Sequence, residues 1–94
     1  MGIPIFEWDP SKAASNLADH GVSFEEALTV FADPLAMVHS DPDHSLSEAR
    51  ALLIGHSGDG RLLLVSFTDR GSSIRIISAR PVTRRERHKY EESR

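Results

Sequence analysis

Five histidines and nine arginines are the residues of this chain best suited to proton transfer and anion binding. Histidine exchanges protons near neutral pH, and arginine grips phosphate or carboxylate through a planar fork of donors. No two histidines stand at metal-ligand spacing, and HExxH is absent. There is no cysteine, which excludes a thiolate zinc site, a cysteine nucleophile and a disulfide scaffold. A Walker loop, GxGxxG and GxSxG are also missing, so no metal or cofactor is expected.

The charges are unevenly spread. Residues 1–49 hold one basic residue (Lys12) against nine acidic ones, a net of −8. Residues 50–94 hold ten basic against five acidic, a net of +5, within an overall charge of −3. The second half is therefore a candidate anion-binding region, with ordinary surface solubility as the plain alternative. With 94 residues, 39% hydrophobic and 27% charged, the chain reads as one small globular domain. Its longest apolar run, residues 62–65, is too short to span a bilayer, and the start lacks a signal-peptide core. A cytoplasmic protein with no membrane contact is expected.

These residues need a scaffold. Residues 3–8 read as a strand, with Pro4 fitting a strand start or sheet edge. Asp9-Pro10 opens a helix that ends at His20, with Gly21 as its left-handed stop and Val22 closing back on Leu17. Ser23-Phe24-Glu25-Glu26 is a capping box for a second helix with an apolar face of Phe24, Ala27, Leu28 and Phe31, halted at Asp33-Pro34. Residues 35–39 read as a strand and 41–47 as a polar loop. Residues 50–56, 61–68 and 73–80 read as strands joined by hairpin-like turns. Thr83-Arg84-Arg85-Glu86 is a second capping box, opening a basic C-terminal helix. The order predicts an α+β fold: two N-terminal helices packed on an antiparallel sheet, with a C-terminal helix.

Four-residue turns would pair His56 with Arg61 and Thr68 with Ser73. The core face would then carry Leu52, Ile54, Leu63, Val65, Phe67, Ile74 and Ile76, with His56, Arg61 and Arg80 side by side at one end. The other face would carry Arg75 among small residues such as Ser66, Thr68 and Ser73. Arginines on strands are held rigidly enough for phosphate recognition; ion pairs with acids such as Glu48 or Glu86 are the structural alternative. His20 fits a helix C-terminus, and His39 an ordinary strand or loop position. His44 and Glu48 are candidates for acid–base work or for local turn and ion-pair structure. His56 among arginines is a candidate base, or an exposed turn histidine.

The chain also resembles a known family. The residues are Phe6-Glu7-Trp8-Asp9, Lys12-Ala13, Asn16-Leu17, His20 through Ala27, Val30-Phe31, Asp33-Pro34, His44-Ser45 with Glu48 and Arg50, Ile54-Gly55-His56-Ser57, Arg75 through Arg80, and Glu86-Arg87 with Tyr90-Glu91. In this order they are similar to the BrnT toxins, and they cover nearly the whole chain. Asp19 departs from the pattern, which favours a basic residue there. The resemblance implies a RelE-like ribonuclease fold and a toxin of a type II toxin–antitoxin pair that cleaves RNA and arrests translation. It also implies a BrnA-like antitoxin in a heteromeric complex, a heterotetramer, that reaches operator DNA only through the antitoxin.

Together these readings predict a metal-independent endoribonuclease in which the ribose 2′-OH attacks the adjacent phosphate. Arginine stays protonated and cannot be the base. Arg61, Arg75 and Arg80 are the candidates for stabilising transition-state charge; His56, His44, Glu48 or Tyr90 must move the protons. Lys12, Arg70, Arg84, Arg85 and Arg87 are the candidates for positioning RNA phosphates. The alternative is a non-catalytic member of the fold that acts by binding RNA or another macromolecule, or as an operon corepressor.

Overall fold

A computed structural model describes residues 4–40 and 49–92. The elements follow the expected order: β1 (Ile5–Glu7), α1 (Pro10–His20), α2 (Phe24–Thr29) with a 3-10 turn (Val30–Ala32), β2 (Met37–Ser40), β3 (Arg50–His56), β4 (Leu62–Asp69), β5 (Ser73–Pro81) and α3 (Arg84–Glu92). The expected loop at 41–47 lies outside the described residues, as do His44 and Glu48.

The helix ends form as their residues dictate. Asp9 accepts the backbone N–H of Ser11 at 2.7 Å, Ser23 caps α2 through Glu26 N–H, and Gly21 takes φ 69° at the end of α1. Val22, the residue after this cap, is fully buried in the main core, and Leu17 is half exposed.

The five strands lie in the order β1-β5-β4-β3-β2. β2 to β5 pair antiparallel, but β1 runs parallel to β5, so the sheet is mixed rather than wholly antiparallel. No hairpin constrains β1: two helices and three strands separate it from β5, and it adds to the free edge of that strand.

α1 and α2 cover one face. Val22, Phe24, Ala27 and Val30 pack there against Leu53, Leu63, Val65, Phe67, Ile76 and Ala79. Phe6, Phe31 and Phe67 make edge-to-face contacts with centroids 5.0 Å apart at each step. α3 covers the other face, where Tyr90 packs on Ile54 and Leu62.

The register differs from the expected one in an informative way. His56 pairs with Leu62, not Arg61, so β3 is slipped by one residue. Leu53 therefore faces the main core, while Leu52 and Ile54 face α3, because a one-residue slip turns every side chain over. The turn hosts its extra residue through Ser57, whose Oγ accepts the N–H of Asp59 and Arg61, and through Gly60 at φ 83°. Between β4 and β5 the pairing is Thr68 with Arg75 up to a bulge at Ile77, beyond which Ser66 pairs with Ser78 and Leu64 with Arg80. The bulge turns Ala79 into the core and Arg80 out to the α3 side. Thr68 and Leu64 are four residues apart on one strand, so Arg75 and Arg80 share a face; the sequence register had put them on opposite ones.

Gly55 marks a close approach. A Cβ there would sit 2.8 Å from Ala36 Cβ and 3.0 Å from both Asp33 Oδ2 and Val30 Cγ1. Gly55→Ala is expected to destabilise the fold by about 1–3 kcal/mol through overpacking, measured by chemical denaturation.

Candidate active site

The α3 face is assembled by one capping box. Thr83 Oγ1 accepts Glu86 N–H at 3.1 Å, and Glu86 Oε1 accepts Thr83 N–H at 2.8 Å. The Glu86 carboxylate also takes both terminal nitrogens of Arg80, each at 2.8 Å. One residue thus starts α3 and fastens it to β5. A helical turn later, Tyr90 is buried against Ile54 and Leu62, where β3 turns into β4.

Tyr90 completes a cluster with His56 and Asp33. Asp33 Oδ2 accepts the backbone N–H of His56 at 2.7 Å and the Tyr90 hydroxyl at 3.3 Å. His56 Nδ1 lies 3.4 Å from the Tyr90 oxygen and 3.7 Å from Asp33 Oδ2. The two rings meet edge to face at 5.6 Å. Asp33 Oδ1 accepts Leu35 N–H at 2.9 Å. The His56 backbone N–H does most to hold the Asp33 carboxyl below its ordinary range, against partial burial that pushes it up; Leu35 and Tyr90 add to the lowering. In the neutral ring, a proton on Nδ1 faces the oxygens of Asp33 and Tyr90. Nε2 then keeps its lone pair, and it has no hydrogen-bond partner among the described residues. The His56 side chain is 42% exposed, so reacting groups can reach it. Side-chain contacts to Asp33 are long, as unliganded acid–base sites often are.

Asp33 was legible in the sequence only as the residue that stops α2. Its contacts with His56 and Tyr90 span 23 and 57 residues, and no local pattern announces them.

The expected trio of His56, Arg61 and Arg80 does not form. Arg61 belongs to the other side: its guanidinium pairs with Glu26 at 2.5 and 3.0 Å and with the Gly21 carbonyl at 2.9 Å. The added turn residue puts it beyond β4, where it fastens α2 to the turn. Arg80 and His56 do share the α3 face, at opposite ends of the Glu86–Tyr90 turn. Arg75 pairs with Glu7 at 2.9 Å, and Arg70 lies 3.9 Å from the same carboxylate. Arg84, Arg85 and Arg87 are exposed on α3, with Arg87 3.9 Å from Glu91. Lys12 is exposed on α1, across the sheet from them. Among the described residues no His, Asp and Glu grouping is able to hold a metal ion.

A family model described as the ribonuclease toxin BrnT of type II toxin–antitoxin systems matches residues 8–86. The chain belongs to the BrnT toxin family. The fold is similar to the crystal structure of the Brucella abortus ribonuclease toxin, BrnT, with 22% identity and a TM-score of 0.63, covering 87% of this chain and all of that one. Among curated proteins, none matches the chain significantly. Membership of a type II toxin family implies an antitoxin partner. No helix among the described residues is long and apolar enough to cross a membrane.

In this BrnT-family chain the Arg80–Glu86 pair carries a pH signature. Arg80 holds the Glu86 carboxyl down at about 2, from an ordinary 4.5. A depressed acid stabilises the fold above its unfolded value and loses that contribution as pH falls from about 4.5 to about 2. Glu86→Gln is expected to lower stability at pH 7 and to flatten the acid limb in that window, read from urea midpoints at stepped pH.

Proposed function

We propose that this BrnT-family toxin is a metal-independent endoribonuclease that works in the cytoplasm, cleaves RNA and arrests translation. The observation that carries the reading is His56. Its Nδ1 side is engaged by the Asp33–Tyr90 pair, and its Nε2 is left as an accessible base. Nε2 takes the proton from a ribose 2′-OH. The 2′-oxygen bonds to phosphorus, the bond to the 5′-oxygen breaks, and that oxygen takes a proton from solvent. The products are a 2′,3′-cyclic phosphate and a 5′-hydroxyl. Tyr90 and Asp33 orient the ring rather than touch substrate. Arg80 stands on the same face, its guanidinium fixed by Glu86, as the nearest strand-borne cation for the developing phosphorane charge. Exposed Arg84, Arg85 and Arg87 are suited to guiding the RNA backbone along α3.

The test is purified protein incubated with RNA in EDTA, with products resolved by end-group chemistry. Cleavage to cyclic phosphates supports the proposal, and intact RNA opposes it. For Arg80, the lysine variant keeps the charge and loses the fork. Activity lost in both Arg80→Ala and Arg80→Lys at matched folding points to bidentate geometry; full activity in both removes Arg80 from the mechanism.

The antitoxin in this reading is BrnA-like, joins a heteromeric complex and carries the operator-DNA contact. The family supports the pairing; co-purification from the native operon tests it. A second reading, a non-catalytic binding subunit or corepressor, draws support from one observation: Arg61, Arg75 and Arg80 are each paired with a carboxylate of the chain itself.

A further inference from the structure

Beyond α3, the same sheet face carries a row of cross-strand neighbours that the proposed cleavage mechanism does not use. Thr68 on β4 sits directly between Arg50 on β3 and Arg75 on β5. Glu7 continues the row on β1, opposite Arg75. β3 and β4 alternate about the main core, so Arg50 and Thr68 both point to the α3 side. The two arginine backbones stand about 9–10 Å apart, two strand spacings. Guanidiniums of that reach can close on one group held above the threonine.

Two features single the row out. Thr68 is fully buried, and its Oγ1 has no hydrogen-bond partner. A buried hydroxyl without a partner is disfavoured by its lost hydration, so its presence needs a reason. Arg50, half-buried beside it, has no ion-pair partner among the described residues. Arg75 has Glu7 on one nitrogen, Nη1, on the side away from Thr68.

We propose that Arg50, Thr68 and Arg75 form a binding site for a phosphodiester of single-stranded RNA. The proposal rests on the ribonuclease reading and adds a substrate subsite to it. Two guanidiniums approach from the sides and one hydroxyl from beneath. This three-directional donor set fits the tetrahedral oxygens of a phosphate better than a planar carboxylate, which accepts within one plane. Glu7 already supplies a carboxylate to the outer side of Arg75, leaving the inner side to the ligand. The hydroxyl is covered in the free chain, so binding begins with side-chain rotamer changes that uncover it. The row lies four β4 residues from the Arg80 level, about 13 Å along the strand, so it holds a phosphate other than the one beside Arg80.

The experiment measures binding of a fluorescent 2′-O-methyl RNA oligomer by anisotropy across a salt series. This oligomer lacks the attacking hydroxyl, so binding is read whether or not the protein cleaves RNA. Arg50→Gln is expected to weaken binding about tenfold and to reduce the salt slope by about 0.7, the value for one single-strand phosphate contact. Thr68→Val keeps the shape and removes the hydroxyl. It is expected to weaken binding several-fold with an unchanged slope, while the melting temperature stays level or rises. That combination separates a ligand-binding hydroxyl from a structural one. His20→Gln, at the end of α1 on the far side of the sheet, is expected to change affinity less than twofold. Parent-like affinity and slope in both Arg50→Gln and Thr68→Val would overturn the proposal, as would failure of the parent chain to bind at low salt. A hexaglutamate peptide provides the last arm. If the variants weaken its binding and leave RNA binding intact, the row serves an acidic protein segment and the RNA proposal falls. Loss of cleavage with the row's binding intact would sink the ribonuclease reading alone.

Discussion

Replacing His56 by alanine is expected to lower RNA cleavage about 10²–10⁴-fold, the contribution of a positioned general base. The fold should survive. The His56 side chain is 42% exposed, and the bond that anchors this segment to Asp33 comes from its backbone N–H, which alanine keeps. The measurement is single-turnover cleavage in EDTA beside a thermal melt. A melt like the parent's with undiminished cleavage would remove His56 as the base. Asp33→Asn supplies the companion result: it leaves the ring in place but removes the carboxylate charge beside Nδ1, so cleavage should fall less than in His56→Ala. Tyr90→Phe takes away the hydroxyl between them and should resemble Asp33→Asn.

The largest effect on stability is expected at Asn16. This residue is buried on α1 and makes three hydrogen bonds. Its Nδ2 donates to the carbonyls of Val22 at 2.9 Å and Ala79 at 2.8 Å, and its Oδ1 accepts Ala79 N–H at 3.0 Å. β1 pairs only with residues 73–75 of β5, so beyond that stretch Asn16 does the work of a neighbouring strand. Asn16→Leu has similar size and offers no polar atom. It leaves one N–H and two carbonyls without their partner, each costing about 1–3 kcal/mol when buried. A loss of about 3–5 kcal/mol is a large part of the roughly 5–15 kcal/mol total of a small domain. The melting temperature should fall by more than about 10 °C. A change below about 1 kcal/mol would show that water replaces the asparagine. Activity measured well below the melt should hold, because Asn16 faces away from α3.

Several elements were legible from local residues. Asp9-Pro10 and Gly21 bound α1, Ser23 and Glu26 start α2, and Thr83 with Glu86 start α3. Each of these signals acts within a few residues, through a cap or a turn, so sequence suffices. The series of motifs from Trp8 to Glu86 likewise carried the family on its own. Alternation placed Leu63, Val65, Phe67 and Ile76 in the core, because β4 is tied to the helices whatever its partners do. The faces of β3 and of the end of β5 were decided elsewhere. One extra residue in the turn after His56, stabilised by Ser57, turns β3 over. One bulge at Ile77 brings Arg80 to the same side as Arg75. Sheet faces alternate with a period of two, so a single-residue offset reverses them, and turn length is set by contacts that hydropathy does not encode. The elements, their order and the family follow from local residue patterns; which charges meet follows from the packing. It removed Arg61 from the expected site by giving it to Glu26, and it brought Asp33 beneath His56 through the space that Gly55 leaves open. Long-range partners follow from packing geometry, and no periodicity along one chain records them.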